Sequence, residues 1–188
     1  MRIISGVYKG RRLKAFQLSH IRPTTDRVKE TLFNKLMGRI EDATVLDLFA
    51  GTGNLGIEAL SRGARHVTFV EKHPASVRLI RENLAVLKIP SDQWAVRAVD
   101  VFRHLKDAEK SAQVIFADPP FVQQIANDVM LALAGSRVHE QGTCVAIESA
   151  SKELISDNYP PFNLLDRRSF GDKQLSLYER EGDIPRQL

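Results

Sequence analysis

Residues 44–60, TVLDLFAGTGNLGIEAL, decide the fold of this chain. An apolar strand ending at Leu46 and Asp47 runs into Gly51, Gly53 and Gly56 and then into a helical pattern. Glycine permits tight turns and a close approach of backbone to ligand, so this stretch reads as the opening strand–turn–helix of a nucleotide-binding sheet. Four more apolar segments repeat the rhythm: HVTFVEK (66–72), WAVRAVD (94–100), AQVIFADPP (112–120) and TCVAIES (143–149), with helical patterns between them. Strands buried on both faces read as nearly continuous apolar runs, and their alternation with helices implies a parallel sheet covered on both sides. The expectation is a Rossmann-like, doubly wound, mostly parallel α/β sheet of seven strands. Its last two strands come from residues 164–180, LLDRRSFGDKQLSLYER, folded as an antiparallel hairpin around Gly171 and Asp172.

Ahead of the sheet, residues 2–16, RIISGVYKGRRLKAF, alternate β-prone stretches with Gly6 and Gly10, which predicts a small basic hairpin. Residues 22–37, RPTTDRVKETLFNKLM, offer Thr24, Thr25 and Asp26 as caps and then space Val28, Leu32, Phe33 and Leu36 as one face of a helix. At 188 residues the whole chain suits one domain: a basic extension over 1–20, a helix within 21–40 and a core over 41–180.

Charge is unevenly spread. Residues 1–40 hold ten Lys/Arg against two Asp/Glu, a balance of +8, whereas the rest holds 17 against 21, a balance of −4. Positive charge gathered in one segment suits a polyanion, because each neutralised phosphate releases counterions. A nucleic acid is the natural partner; a merely solvated basic face is the plainer alternative. No apolar run reaches the roughly 20 residues of a membrane-spanning helix, and no secretory leader is visible, so a cytoplasmic protein is expected. Cys144 lies in an apolar strand and is given no chemical role. The histidines His20, His66, His73, His104 and His139 are scattered without metal-ligand spacing, and Trp94 reads as packing at a strand start.

Two clusters carry chemistry. Gly51, Gly53 and Gly56 satisfy a dinucleotide fingerprint, and Glu71 ends the next strand where it could take ribose hydroxyls, so a nicotinamide enzyme is a rival. Asp47 argues against it, because a carboxylate beside a pyrophosphate repels it. Beside the cationic amino-acid portion of S-adenosylmethionine, which carries no phosphate, the same carboxylate is favourable. Asp100, closing the third strand, could take an adenine amino group. The second cluster is Asp118, Pro119, Pro120 and Phe121, directly after the apolar VIFA. Two prolines remove backbone donors and hold the turn extended, leaving carbonyl acceptors. An exocyclic amino group is a poor nucleophile because its lone pair is delocalised into the ring. Hydrogen bonds to Asp118 and to the Pro119 carbonyl would direct that lone pair at a methyl donor, with Phe121 stacked on the base. In a sheet ordered 3-2-1-4-5 the first and fourth strands are neighbours, so both clusters meet at the switch point.

RIISGVYKGRRL (2–13), RPTTDRVKETLFN (22–34), LDLFAGTGNLGIEALSRGA (46–64) and FADPPF (116–121) together resemble the bacterial 16S ribosomal RNA guanine-N2 methyltransferases of the RsmD type, over nearly the whole chain. The resemblance implies a class I fold that uses S-adenosylmethionine without a metal and acts on 16S rRNA, within the assembled small subunit, as a monomer. It implies that Asp118, Pro119, Pro120 and Phe121 are the catalytic tetrad, with Phe where many relatives have Tyr. It implies that Asp47, Leu48, Phe49, Ala50, Gly51 and Gly53, with Glu71, Lys72, Asp100 and Val101, line the donor. Segment 22–27, through Arg22, Thr24 and Arg27, would close over it, and Arg2, Lys9, Arg11, Arg12 and Lys14 would grip RNA. Amino-methylation of adenine, cytosine or a protein glutamine would use a similar tetrad and stays open at this level. So does a non-catalytic RNA-binding module.

Overall fold

A computed structural model describes residues 1–15 and 26–182. Arg22 and Thr24, and the capping role expected of Thr24 and Thr25, lie outside the described residues. The elements run in the order α1 (Asp26–Lys35), β1 (Thr44–Leu48), α2 (Asn54–Ser61), β2 (His66–Val70), α3 (Pro74–Leu87), β3 (Trp94–Arg97), α4 (Val101–Asp107), β4 (Ala112–Ala117), α5 (Ala126–Ala134), β5 (His139–Ala150), β6 (Asn158–Tyr159), β7 (Phe162–Phe170) and β8 (Lys173–Arg180).

One sheet of eight strands is ordered β3-β2-β1-β4-β5-β8-β7-β6. β1 to β5 are mutually parallel, while β8 runs antiparallel to β5 and β7 antiparallel to β8. The eighth strand is the two-residue β6, which the sequence pattern does not reveal because so short a segment has no periodicity. The closing hairpin is as expected but longer, turning at Gly171 with φ 66.

Alternation along the strands divides the core. Val45, Phe69, Val114, Phe116 and Ala146 face α1, α2 and α3 through Leu32, Phe33, Ile57, Leu60, Ile80 and Leu84. Leu46, Leu48, Ile115, Val145 and Ile147 face α4 and α5 through Val101, Leu105, Val129, Met130 and Leu133. Helices on both sides force the strands to be apolar throughout, which is why the pattern was legible.

The amino-terminal segment is a short, irregular hairpin, as the sequence predicts. One antiparallel bridge joins Arg2 and Arg12, Ile3 N donates to the Arg11 carbonyl at 2.9 Å, Gly10 N to the Ile3 carbonyl at 2.9 Å and Leu13 N to the Met1 carbonyl at 3.1 Å, and docking on the core adds to these bonds. Ile3 and Leu13 enter the core, and Val7 donates its N–H to the Ser61 carbonyl at 2.8 Å. Gly6, at φ 84, lies so close to the end of α2 that a Cβ would collide with the Ser61 carbonyl. β3 also ends earlier than expected, at Arg97. Asp100 belongs to the following turn, where its Oδ1 accepts from Phe102 N at 2.9 Å and caps α4.

Candidate active site

The sheet order reverses between β1 and β4, and the register pairs Leu48 with Ala117, so Phe49 and Asp118 are the first residues beyond adjacent strand ends. Adjacent parallel strands lie about 4.8 Å apart, and ligands of doubly wound sheets bind beyond the carboxyl ends at such a reversal. Asp118 N points at Leu48 O from 3.5 Å. The two clusters read from sequence are therefore side by side.

On the β1 side the glycine loop is laced by carboxylates. Asp47 is 2% exposed, and its Oδ2 accepts from Gly56 N at 2.9 Å. Gly56 must be glycine because a Cβ there would run into the Phe69 ring and lie 2.9 Å from Asp47 Oδ2. Glu71, also buried, uses one oxygen for Gly51 N at 2.9 Å and the other for His73 N at 2.8 Å. Each of these oxygens keeps a further lone pair, since an ionised carboxylate has about four acceptor sites. Burial pushes the Asp47 carboxyl up from 3.8 to about 7; the Gly56 N–H opposes this, and the charges of Asp118 and Glu71 reinforce it. Leu48 and Ala50 are buried, Gly51 is half-buried, and Gly53 is the left-handed residue before α2 at φ 79. Val101 is buried at the start of α4, and exposed Lys72 reaches Asp100 Oδ2 at 3.5 Å.

These bonds bear on the choice of cofactor. A pyrophosphate needs free amides at the start of the helix, but here Gly51 and Gly56 already donate to protein carboxylates. A dinucleotide would meet negative charge where it requires donors. S-adenosylmethionine, a phosphate-free cation, suits the same groups.

On the β4 side, Pro119 is buried and Pro120 exposed. The Pro120 carbonyl accepts from Gln123 N at 3.0 Å, closing a short 3-10 turn over Phe121–Gln123. The Pro119 carbonyl has no hydrogen-bond partner among the described residues. Phe121 is 39% exposed, a ring open to solvent at the mouth of the sheet. Lys173, the first residue of β8, brings its ammonium to 4.0 Å from Asp118 Oδ1 and 2.9 Å from Glu148 Oε2. Burial alone would lower the Lys173 pKa; Asp118 and then Glu148 outweigh it and hold the group above the ordinary lysine value. Sequence reading missed both Glu148 and Lys173. Glu148 had a signal, since it directly follows an apolar run, CVAI, as Asp47 and Asp118 follow theirs. Lys173 had none, because its place depends on the hairpin returning beside β5.

The basic segment is split by its partners. Arg2 pairs with Asp26 at 2.8 Å and Lys14 with Glu82 at 3.0 Å. Lys9, Arg11 and Arg12 are exposed and make no ion pair among the described residues, and the same holds for Arg27 in the first turn of α1. No cluster of three or more His, Cys, Asp or Glu able to hold a metal occurs among the described residues, and no helix there is long and apolar enough to cross a membrane.

A parallel sheet wound in this order and closed by an antiparallel hairpin on β5 is the class I methyltransferase fold. Comparison with known proteins narrows the class. Residues 1–179 match the family described as Conserved hypothetical protein 95. The Ribosomal RNA small subunit methyltransferase D of Haemophilus influenzae is 36% identical over 182 residues, spanning 95% of this chain and 93% of that protein. Its Escherichia coli namesake is 34% identical over 181 residues, spanning 96% and 90%. The solved structure of the Escherichia coli protein yhhF, described as a candidate methyltransferase, superposes with a TM-score of 0.87 at 33% identity, over 97% of this chain and 99% of that one. The chain belongs to the ribosomal RNA small subunit methyltransferase D family.

Proposed function

We propose that this chain transfers a methyl group from S-adenosylmethionine to the exocyclic N2 amino group of a guanine in 16S ribosomal RNA, in the assembled small subunit and in the cytoplasm. One observation carries the reading: Asp118 stands at the tip of β4 beside the glycine loop of β1, next to a Pro119 carbonyl that has no hydrogen-bond partner among the described residues. The names of the relatives from Haemophilus influenzae and Escherichia coli support the choice of small-subunit rRNA.

S-adenosylmethionine, when bound, supplies a methyl group on a positively charged sulfur. Glu71 takes the ribose hydroxyls with the lone pairs its backbone bonds leave over, and Asp47 favours the cationic end of the ligand. The family resemblance assigns Arg22, Thr24 and Arg27 to this side as well, the first two lying outside the described residues. Asp118 Oδ and the Pro119 carbonyl each accept one amino hydrogen of the base, which localises the nitrogen lone pair and aims it at the donor side of the cleft. Phe121 stacks on the extruded ring, a contact worth about 1–3 kcal/mol per base. As the N–C bond forms, the methyl–sulfur bond breaks and S-adenosylhomocysteine is the leaving product; the amino nitrogen then gives up one proton, and Asp118 is the acceptor placed to take it. Extrusion is cheapest where the base is unpaired, which favours structured RNA over duplex DNA. The exposed charges of Lys9, Arg11 and Arg12, with Arg2 and Lys14 beside them, hold the phosphate backbone.

The test is methyl transfer from labelled S-adenosylmethionine to unmodified small subunits, free 16S rRNA, DNA and protein, with nucleoside analysis of the product. N2-methylguanosine from the ribosomal substrate is the expected result. A methylated adenine, cytosine or glutamine would keep the donor site and overturn the acceptor.

A further inference from the structure

Asp118 is not the only carboxylate at the acceptor mouth. The β4–β5 register pairs Ala117 with Ile147, so Glu148 stands next to Asp118 on the neighbouring strand. Both continue the face of the sheet that carries Phe116 and Ala146. The Lys173 ammonium touches both groups, at 2.9 Å from Glu148 Oε2 and 4.0 Å from Asp118 Oδ1. Glu148 is 4% exposed, yet its other oxygen, Oε1, is buried without a hydrogen-bond partner among the described residues. A buried carboxylate oxygen left bare is costly, and native proteins keep few such atoms without a reason.

The chemistry of the acceptor supplies one. Beside the carbon that bears the exocyclic amino group, guanine has N1–H, a donor. Adenine and cytosine have a ring nitrogen lone pair at the equivalent place. With the amino group held at Asp118, a second carboxylate alongside would accept from guanine N1–H and repel the lone pair of the other two bases. We propose that Glu148 is the residue that selects guanine, by accepting the N1–H through Oε1 while Lys173 anchors Oε2 and orients the carboxylate. This inference rests on the guanine acceptor proposed above and assigns the residue that distinguishes it. The discrimination is of the strong kind, because a site built to hydrogen-bond a substrate N–H leaves its own buried group unpaired when that N–H is missing.

The experiment uses small subunits reconstituted with guanine or 2-aminopurine at the nucleotide that the unaltered chain methylates. 2-Aminopurine keeps the 2-amino group but presents a bare N1 lone pair. The unaltered chain is expected to prefer guanine in kcat/KM by at least about tenfold. E148Q, whose amide can donate to a bare N1, should bring the two acceptors within about threefold of each other. Affinity for S-adenosylhomocysteine and the thermal midpoint serve as controls for folding and donor binding. E148Q keeping the full guanine preference overturns the proposal. So does an unaltered chain that uses both acceptors equally, a result that needs no variant to fold. Absence of N2-methylguanosine from the unaltered chain on its guanine substrate is a different failure, which removes the functional reading itself and this inference with it.

Discussion

Lys29 Nζ lies 3.0 Å from Glu58 Oε2, with the two side chains 1% and 0% exposed, and this buried ion pair clasps the amino-terminal segment to the methyltransferase core. Glu58 also accepts from Ile4 N at 2.8 Å, Ser5 N at 3.0 Å and Arg62 Nε at 2.9 Å. Lys29 donates to the Arg2 carbonyl at 2.7 Å and to Asn54 Oδ1 at 2.9 Å. Burial lowers the Lys29 pKa, and the Glu58 charge works against that. One pair thus ties α1, α2 and the basic segment together.

Glu58→Gln strands the Lys29 ammonium in a dry environment and should cost about 3–5 kcal/mol, and replacing both residues with apolar side chains of similar volume should recover much of that loss. Lys29→Met leaves Glu58 paired with Arg62 and should cost less. Urea unfolding measures the cost. Hydrogen exchange at the Ile4 and Ser5 amides should quicken in E58Q beyond the change at core strands, because the Gln amide leaves a single acceptor oxygen where Glu58 offers one to each of them; equal protection in E58Q and the unaltered chain would contradict the clasp.

Asp47 makes stability depend on pH. Its folded carboxyl titrates near 7 against an ordinary value of 3.8, so the folded chain keeps a proton that the unfolded chain releases. The stabilisation is complete below the ordinary value and is lost as pH rises towards 7, at about 1.4 kcal/mol per pH unit at the steepest. Asp47→Asn should flatten this dependence in denaturation measured from pH 4.5 to 8, and should leave the ligand-free chain more stable than the unaltered one at pH 8. A cationic donor favours the ionised carboxylate, so affinity for S-adenosylmethionine relative to S-adenosylhomocysteine should rise through pH 7 in the unaltered chain and not in D47N. Calorimetric titration at several pH values checks this.

Asp118→Ala removes the acceptor for an amino hydrogen without touching the glycine loop. Turnover should fall by at least about 100-fold, the range for losing a positioned proton acceptor, whereas binding of S-adenosylhomocysteine should change less than about twofold. A normal turnover in this variant would remove Asp118 from the chemistry.

Among the described residues, Lys9, Arg11 and Arg12 have no acid holding them, unlike Arg2 and Lys14. Reversing Arg11 and Arg12 to Glu should weaken RNA binding and flatten its dependence on salt by about one unit of log–log slope per lost phosphate contact. Donor affinity should stay the same. The same reversal at Lys14 should be the milder of the changes, since its charge is already shared with Glu82. Binding isotherms at several salt concentrations give the slopes.

How much of this was legible depends on the range of the interaction. The strand cores of β1, β2, β4 and β5 and the switch point follow from local apolar runs and from glycine and proline chemistry, which a residue carries wherever it goes. The same local signals place Asp47, Glu71 and Asp118 at strand ends. Asp100 lies three residues beyond the end of β3 rather than at it, because the apolar letters of AVD extend the strand pattern in sequence while the structure uses Asp100 to cap α4 through Phe102 N. The amino-terminal hairpin is legible from its glycines and β-prone stretches, and backbone bonds pair its two arms; its docking against Glu58 and Ser61 is not legible, because those partners lie far along the chain.

The sequence by itself thus determined the doubly wound sheet, the neighbouring glycine and DPPF clusters, and the concentration of positive charge at one end, because periodicity, backbone chemistry and net charge are local properties. Only the tertiary structure decided that Asp47 and Glu71 occupy the loop amides, that Glu58 and Lys29 are buried against the arm, and that Lys173 joins Glu148 to Asp118. Those pairings set which charges are dry and which face a ligand, and they arise from register and packing between segments far apart in the chain.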